Sequence, residues 1–176
     1  MAAMKATDRL KHQKSELDMA IYSSGEAARY LRLPKSTVYA WTTRTPAIVR
    51  PADSRLGLLS FSNLIELHIL ASIRTVHGVS HQAVKRSLDF LRDRLGVERP
   101  LLESAMMTDG KNLFVERMGN LVNISKNGQL QIRELMAAHL RRIEWSAEGI
   151  GTRLYPFTRP GSTEGPLVVA ITNMVR

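Results

Sequence analysis

Lys35, Ser36, Tyr39 and Thr43 follow Pro34 at successive steps of one, three and four residues. On a helix such positions share a face, with Thr37 at its margin. An ammonium, hydroxyls and a phenol grouped in this way can donate hydrogen bonds to base edges and phosphate oxygens. Arg29 and Arg32 precede the stretch, and Arg44, Arg50 and Arg55 follow it. A guanidinium suits phosphate because it offers two parallel N–H donors.

Other chemistries find less support. The histidines stand at 12, 68, 77, 81 and 139; His77 and His81 are four apart but straddle Gly78. They read as loop and surface residues between helices, not as metal ligands. Asp109, Glu116, Glu134 and Glu144 show no paired spacing for a metal-dependent nuclease, and Asp109-Gly110 reads as a turn. No serine stands in a nucleophile elbow and no glycine-rich phosphate loop occurs. With no cysteine, disulfides, thiolate metal sites and cysteine catalysis are all excluded. The sequence therefore predicts no enzyme, no metal and no cofactor.

The elements that must position the basic face can be read in order. The chain has 176 residues, 44% of them hydrophobic, which suffices for a packed core. Residues 1–95 carry 15 of the 25 basic residues against 8 of the 16 acidic ones, so the net charge of +9 is concentrated there. That bias favours a polyanionic partner. Residues 1–20 read as a mobile arm. Ser23 or Ser24 caps a short helix with Ala27, Ala28 and Leu31 on one face. Arg32-Leu33-Pro34 turns the chain into a second helix, with Val38 and Trp41 facing inward. Two helices joined so closely form a helix-turn-helix. Residues 48–50 and 55–56 flank a Pro-Ala-Asp-Ser turn and predict a β-hairpin wing.

Ser60 or Ser62 then opens a strongly apolar helix reaching Val76, and Ser80 opens another that Gly96 closes. Their apolar faces are wide enough to suggest dimerisation. Beyond residue 97, short helices are predicted over 100–107 and 130–143, with strands at 112–116, 121–124, 154–157 and 167–171. The fold class is α+β: an arm (1–20), a winged helix-turn-helix with two longer helices (21–96), and a small α+β domain (97–176). The longest apolar stretch, residues 64–73, is too short to span a bilayer, and the charged N-terminus lacks a signal peptide's apolar core, so a cytoplasmic protein is expected.

Gly25-Glu26-Ala27-Ala28, Leu31, Leu33, Ser36-Thr37-Val38-Tyr39-Ala40-Trp41, Leu59-Ser60-Phe61 and Gly78-Val79-Ser80 resemble the MerR-type winged-helix regulators. Tyr39 departs from that pattern, which commonly has arginine there. Over residues 21–171 the chain is similar to bacterial antitoxins of the VapB type, which pair with PIN-domain ribonucleases. The motifs are Leu64-Ile65-Glu66-Leu67, Thr108-Asp109-Gly110-Lys111-Asn112-Leu113-Phe114, Leu121-Val122-Asn123-Ile124-Ser125 and Leu154-Tyr155-Pro156-Phe157-Thr158-Arg159. The chain ends where that family's C-terminal domain of unknown function would begin.

The resemblance implies a homodimeric, autoregulating antitoxin that reads an inverted-repeat operator in double-stranded DNA. Its DNA-binding residues would be Arg29, Arg32, Lys35, Ser36, Thr37, Tyr39, Thr43, Arg44, Arg50 and Arg55. The alternatives are an antitoxin that acts mainly by masking the ribonuclease, and a MerR-like sensor of a small ligand.

Overall fold

The computed structural model describes residues 11–12, 14–74, 76, 78–103, 106, 109–156 and 168–169. Ser23 caps α1 (Ser24–Leu31) through a reciprocal box in which Glu26 N–H donates to Ser23 Oγ and Ser23 N–H to Glu26 Oε2. Arg32 closes α1 in the left-handed conformation, and Pro34 starts α2 (Lys35–Thr43) by accepting from the amides of Thr37 and Val38. Ala27, Ala28, Leu31, Leu33 and Val38 are all buried where the two helices meet, and Trp41 packs against the same core.

α3 (Phe61–Ala71) is the centre of the molecule. Every residue from Phe61 to Leu70 is buried, including Asn63, Glu66 and His68. A helix apolar around nearly its whole circumference must be covered on all sides. Here α1, the 3-10 turn Pro100–Leu102, α6 (Lys126–Leu140) and β2 (Gly151–Leu154) surround it. The apolar surface of α3 is thus covered within one chain. α4 (His81–Leu95) opens at Ser80 and ends at Gly96 with φ +66°, as the cap residues predict. It packs on α5 (Asp109–Leu121), where the Arg117 guanidinium lies 5.2 Å from the centre of the Phe90 ring.

The chain then forms an antiparallel sheet of β1 (Ile143–Trp145), β2 and β3 (Val168–Val169), in that order. Ile143 stands opposite Leu154, and Arg153 opposite Val169. The α+β class holds. The buried cluster is continuous from Leu17 to Leu154, so residues on both sides of position 96 share it. Of the expected arm, residues 14–17 are helical, Leu17 is buried, and Asp18 pairs with Arg99.

Three sequence expectations need correction. Residues 112–116 and 121 belong to α5 and residues 122–124 to the turn after it, so no strands form there. Phe114, Val115 and Met118 fall on one buried helical face, and Gly119 is an interior residue, not a turn. A Cβ on Gly119 would stand 2.5 Å from Gln129 Nε2, so glycine lets α6 close on α5. Of the helix expected over 100–107, residues 100–102 form a 3-10 turn and Met106 is also in 3-10 conformation, while residues 104, 105 and 107 lie outside the described residues.

The wing is the third correction. Only isolated bridges form, Asp53 with Leu58 and Tyr22 with Leu59. The amides of Ile48 and Val49 donate instead to the Trp41 carbonyl. Pro51 has no amide proton to offer. Asn63 takes the Ala52 amide on its Oδ1 and gives its Nδ2 to the Arg50 carbonyl. The backbone groups needed for a ladder are therefore held by helices, and a tight turn replaces the hairpin.

Candidate nucleic-acid interface

The α2 face arises from its own periodicity. Val38 and Thr42 point inward, and the Thr42 hydroxyl is satisfied by the Val38 carbonyl at 2.8 Å. Lys35, Ser36, Tyr39 and Thr43 are left exposed, with Thr37 half-buried beside them. Tyr39 is 64% exposed, a large fraction for a tyrosine, and its hydroxyl has no partner among the described residues. Thr43 donates its hydroxyl proton to the Tyr39 carbonyl at 2.6 Å, which leaves it an acceptor only. Lys35 crosses Gly25, whose Cβ would lie 3.1 Å from Lys35 Cε. Its stem is thereby steered along α1 while its ammonium stays in solvent.

Ser24, Lys35, Ser36, Tyr39 and Arg44 line one open hollow of about 530 Å³. A second cleft of about 370 Å³ lies on the other side of Ser36, between α2 and the start of α4. Arg44, Arg74, Ser80 and His81 line it, and His81 Nε2 sits 3.4 Å from the Pro46 carbonyl. The sequence analysis does not assign Arg74, Ser80 or His81 to DNA: it reads Ser80 as a helix cap and His81 as a surface residue. The signal was a basic residue at the exit of an apolar helix, set beside the next helix cap. The side chains of Lys35, Arg44, Arg50, Arg55 and Arg74 form no ion pair among the described residues. Unpaired cations on both sides of an exposed polar helix face make a surface that attracts phosphate.

The remaining candidates are placed elsewhere. Arg50 lines a cleft of about 630 Å³ at the base of the turn, with Lys85, Arg92 and Arg99. Those three are held by carboxylates: Lys85 and Arg92 by Asp89, and Arg99 by Glu66 and Asp18. Arg55 is exposed in the turn itself. Arg29 lies 5.5 Å from the Tyr30 ring centre, and Arg32 caps α1; neither lines the hollows beside α2.

The carboxylates weighed for a metal are dispersed. Glu144 receives the Tyr155 hydroxyl at 2.7 Å and Arg153 at 3.2 Å, and the bond to Glu144 raises the Tyr155 pKa. Among the described residues no group of three or more His, Cys, Asp or Glu side chains could hold a metal ion. None of their helices is long and apolar enough to cross a membrane.

No protein-family model matches the chain. It is similar to a protein of Mycobacterium tuberculosis (strain ATCC 25618 / H37Rv) named "Putative antitoxin VapB45", with 26% identity over 165 residues, 78% of this chain and 68% of the relative. The crystal structure of Rv2018 from Mycobacterium tuberculosis shares the fold: TM-score 0.58, 22% identity, 78% of this chain and 69% of that one.

Proposed function

We propose that this chain is a DNA-binding regulator of the antitoxin kind. In this reading α2 enters a major groove. Lys35, Ser36 and Tyr39 face base edges, while Arg44 and Arg74 hold phosphates on either side. The observation that carries it is the exposed, unpaired cationic and hydroxylic face of α2 beside the Arg44–Arg74 cleft. The relative's name adds the antitoxin role. Two copies related by a twofold axis would read an inverted repeat. Their seam would lie away from α3, which is covered within the chain.

The test is affinity for the chain's own upstream promoter duplex over a salt series, with a scrambled duplex beside it. Steep salt dependence together with preference for the promoter supports the reading. A flat dependence, or equal binding to both duplexes, overturns it.

The relative's name also favours a toxin partner, and the resemblance to VapB-type antitoxins would make that partner a PIN-domain ribonuclease, covered by residues 97–171. Copurification of the full chain with the product of an adjacent PIN-domain gene tests that part independently of DNA.

A further inference from the structure

We propose that the cleft between α4 and the peptide leaving α2 binds a small phosphorylated sugar, its phosphate among Arg50, Lys85 and Arg92 and its hydroxyls toward Glu98. The cleft holds about 630 Å³ and shares no lining residue with the hollows beside α2.

One wall is a fixed peptide. The Trp41 carbonyl accepts from the amides of Ile48 and Val49, both at 3.0 Å. Asn63 holds the Arg50 carbonyl at 2.9 Å and the Ala52 amide at 3.0 Å. Arg50 is thus presented from backbone tied down on both sides, which lowers the ordering cost of binding. The facing wall is α4, where Lys85 and Arg92 stand about two turns apart. Arg99 also lines the cleft, but two of its guanidinium nitrogens bond Glu66 and the third bonds Asp18. It belongs to the frame of the site.

The charges select the ligand. Lys85 and Arg92 share a single carboxylate, Asp89. The Arg50 side chain has no ion pair among the described residues. Three cations against one anion leave two positive charges uncompensated. A phosphomonoester carries about −1.5 to −2 at pH 7 and offers three strong acceptor oxygens, whereas a backbone phosphodiester carries one charge.

The cleft is larger than a phosphate needs, and its volume lies in the range of small-molecule sites. Arg92 Nε donates to the Glu98 carbonyl at 2.7 Å, which sets Glu98 beside the phosphate position. The Glu98 carboxylate lines the cleft without a partner among the described residues, and it can only accept hydrogen bonds. It would repel a second anion and take the hydroxyls of a sugar.

The test uses no nucleic acid, so its failure leaves the DNA-binding reading standing. Isothermal titration calorimetry of the full chain at neutral pH takes ribose 5-phosphate, inorganic phosphate, dimethyl phosphate and ribose as probes. Ribose 5-phosphate is expected to bind at least about tenfold more tightly than each of the others. Arg50→Gln and Lys85→Gln should each weaken it about tenfold with an unchanged circular dichroism spectrum. Arg86→Gln removes the same charge from an exposed position of α4 outside the cleft, and should leave it within about twofold. Glu98→Ala should weaken ribose 5-phosphate and spare inorganic phosphate. Dimethyl phosphate binding as tightly as ribose 5-phosphate would assign the cleft to a nucleic-acid backbone and overturn the proposal. Equal affinity for ribose 5-phosphate and inorganic phosphate, or a Glu98→Ala chain that behaves as wild type, would overturn the sugar half of it. No binding of any phosphate, or equal losses in Arg50→Gln and Arg86→Gln, would overturn the site altogether.

Discussion

The imidazole rings of His68 and His139 lie 4.9 Å apart between centroids and 39° from parallel, joining α3 to α6. His68 is fully buried, and its Nε2 is 3.0 Å from the His139 carbonyl, so that nitrogen carries the proton. Its Nδ1 is buried with no partner, a lone pair that tolerates the site while the ring is neutral. Burial, reinforced by His139, pushes the His68 pKa down to about 3. Burial also lowers that of His139.

Stability should therefore fall in mild acid. The unfolded chain takes up a proton near pH 6.5 that folded His68 refuses. The stabilisation is complete above that pH and erodes as pH falls toward about 3. Between pH 7.5 and 5 the loss from this group is about 2 kcal/mol, and any folded pKa well below 5 gives the same figure. Urea unfolding at the two pH values measures it. His68→Gln, which keeps an N–H for the His139 carbonyl, should remove about that much of the pH dependence. A variant as acid-sensitive as wild type would assign the effect elsewhere.

Asn63 should be the costliest polar residue to lose. Its Oδ1 accepts from the amides of Ala52 and Ser60, and its Nδ2 donates to the Arg50 carbonyl and to Glu66. Asn63→Ala would remove four hydrogen bonds and strand the buried Ser60 amide, at about 3 kcal/mol in denaturant unfolding. Asn63→Asp keeps the acceptor but places a carboxylate beside buried Glu66, and should also destabilise.

Gly151 marks where the sheet meets α3. A Cβ there would lie 2.6 Å from Ile65 Cδ1 and 3.2 Å from Ile143 Cγ2. Gly151→Ala should cost about 1–3 kcal/mol through overpacking. Removing the offending methyl with Ile65→Val should return part of it, and a double-mutant cycle by thermal unfolding reads that coupling. Additive losses would place the strain elsewhere.

What the sequence made legible follows from the range of each interaction. Ser60, Ser80, Gly96 and the Arg32-Leu33-Pro34 turn act within a few residues, so their cap chemistry could be read directly. The exposed α2 positions followed from helical periodicity around Val38. Met118-Gly119-Asn120 carries a local turn signal that Phe114, Val115 and Met118 override by packing as a helix. The wing was misread because its hydrogen bonds go to Asn63 and Trp41, residues that local strand propensity does not weigh. The His68–His139 contact spans 71 positions and leaves no spacing signature. Arg74 and His81 joined the candidate interface only when α4 folded back beside α2.

The Arg44–Arg74 cleft makes the sharpest prediction for DNA binding. If each guanidinium neutralises one phosphate, Arg44→Ala with Arg74→Ala should shrink the slope of log affinity against log salt by up to about 2. Arg86→Ala with Arg94→Ala removes the same charge from the exposed side of α4, away from that cleft. At 0.15 M salt the screening length is about 8 Å, so this control should leave the slope nearly unchanged. Lys35→Ala should weaken binding and lower the preference for the promoter over a scrambled duplex. Equal slope changes for the two arginine pairs would mean that net charge, rather than the cleft, governs association.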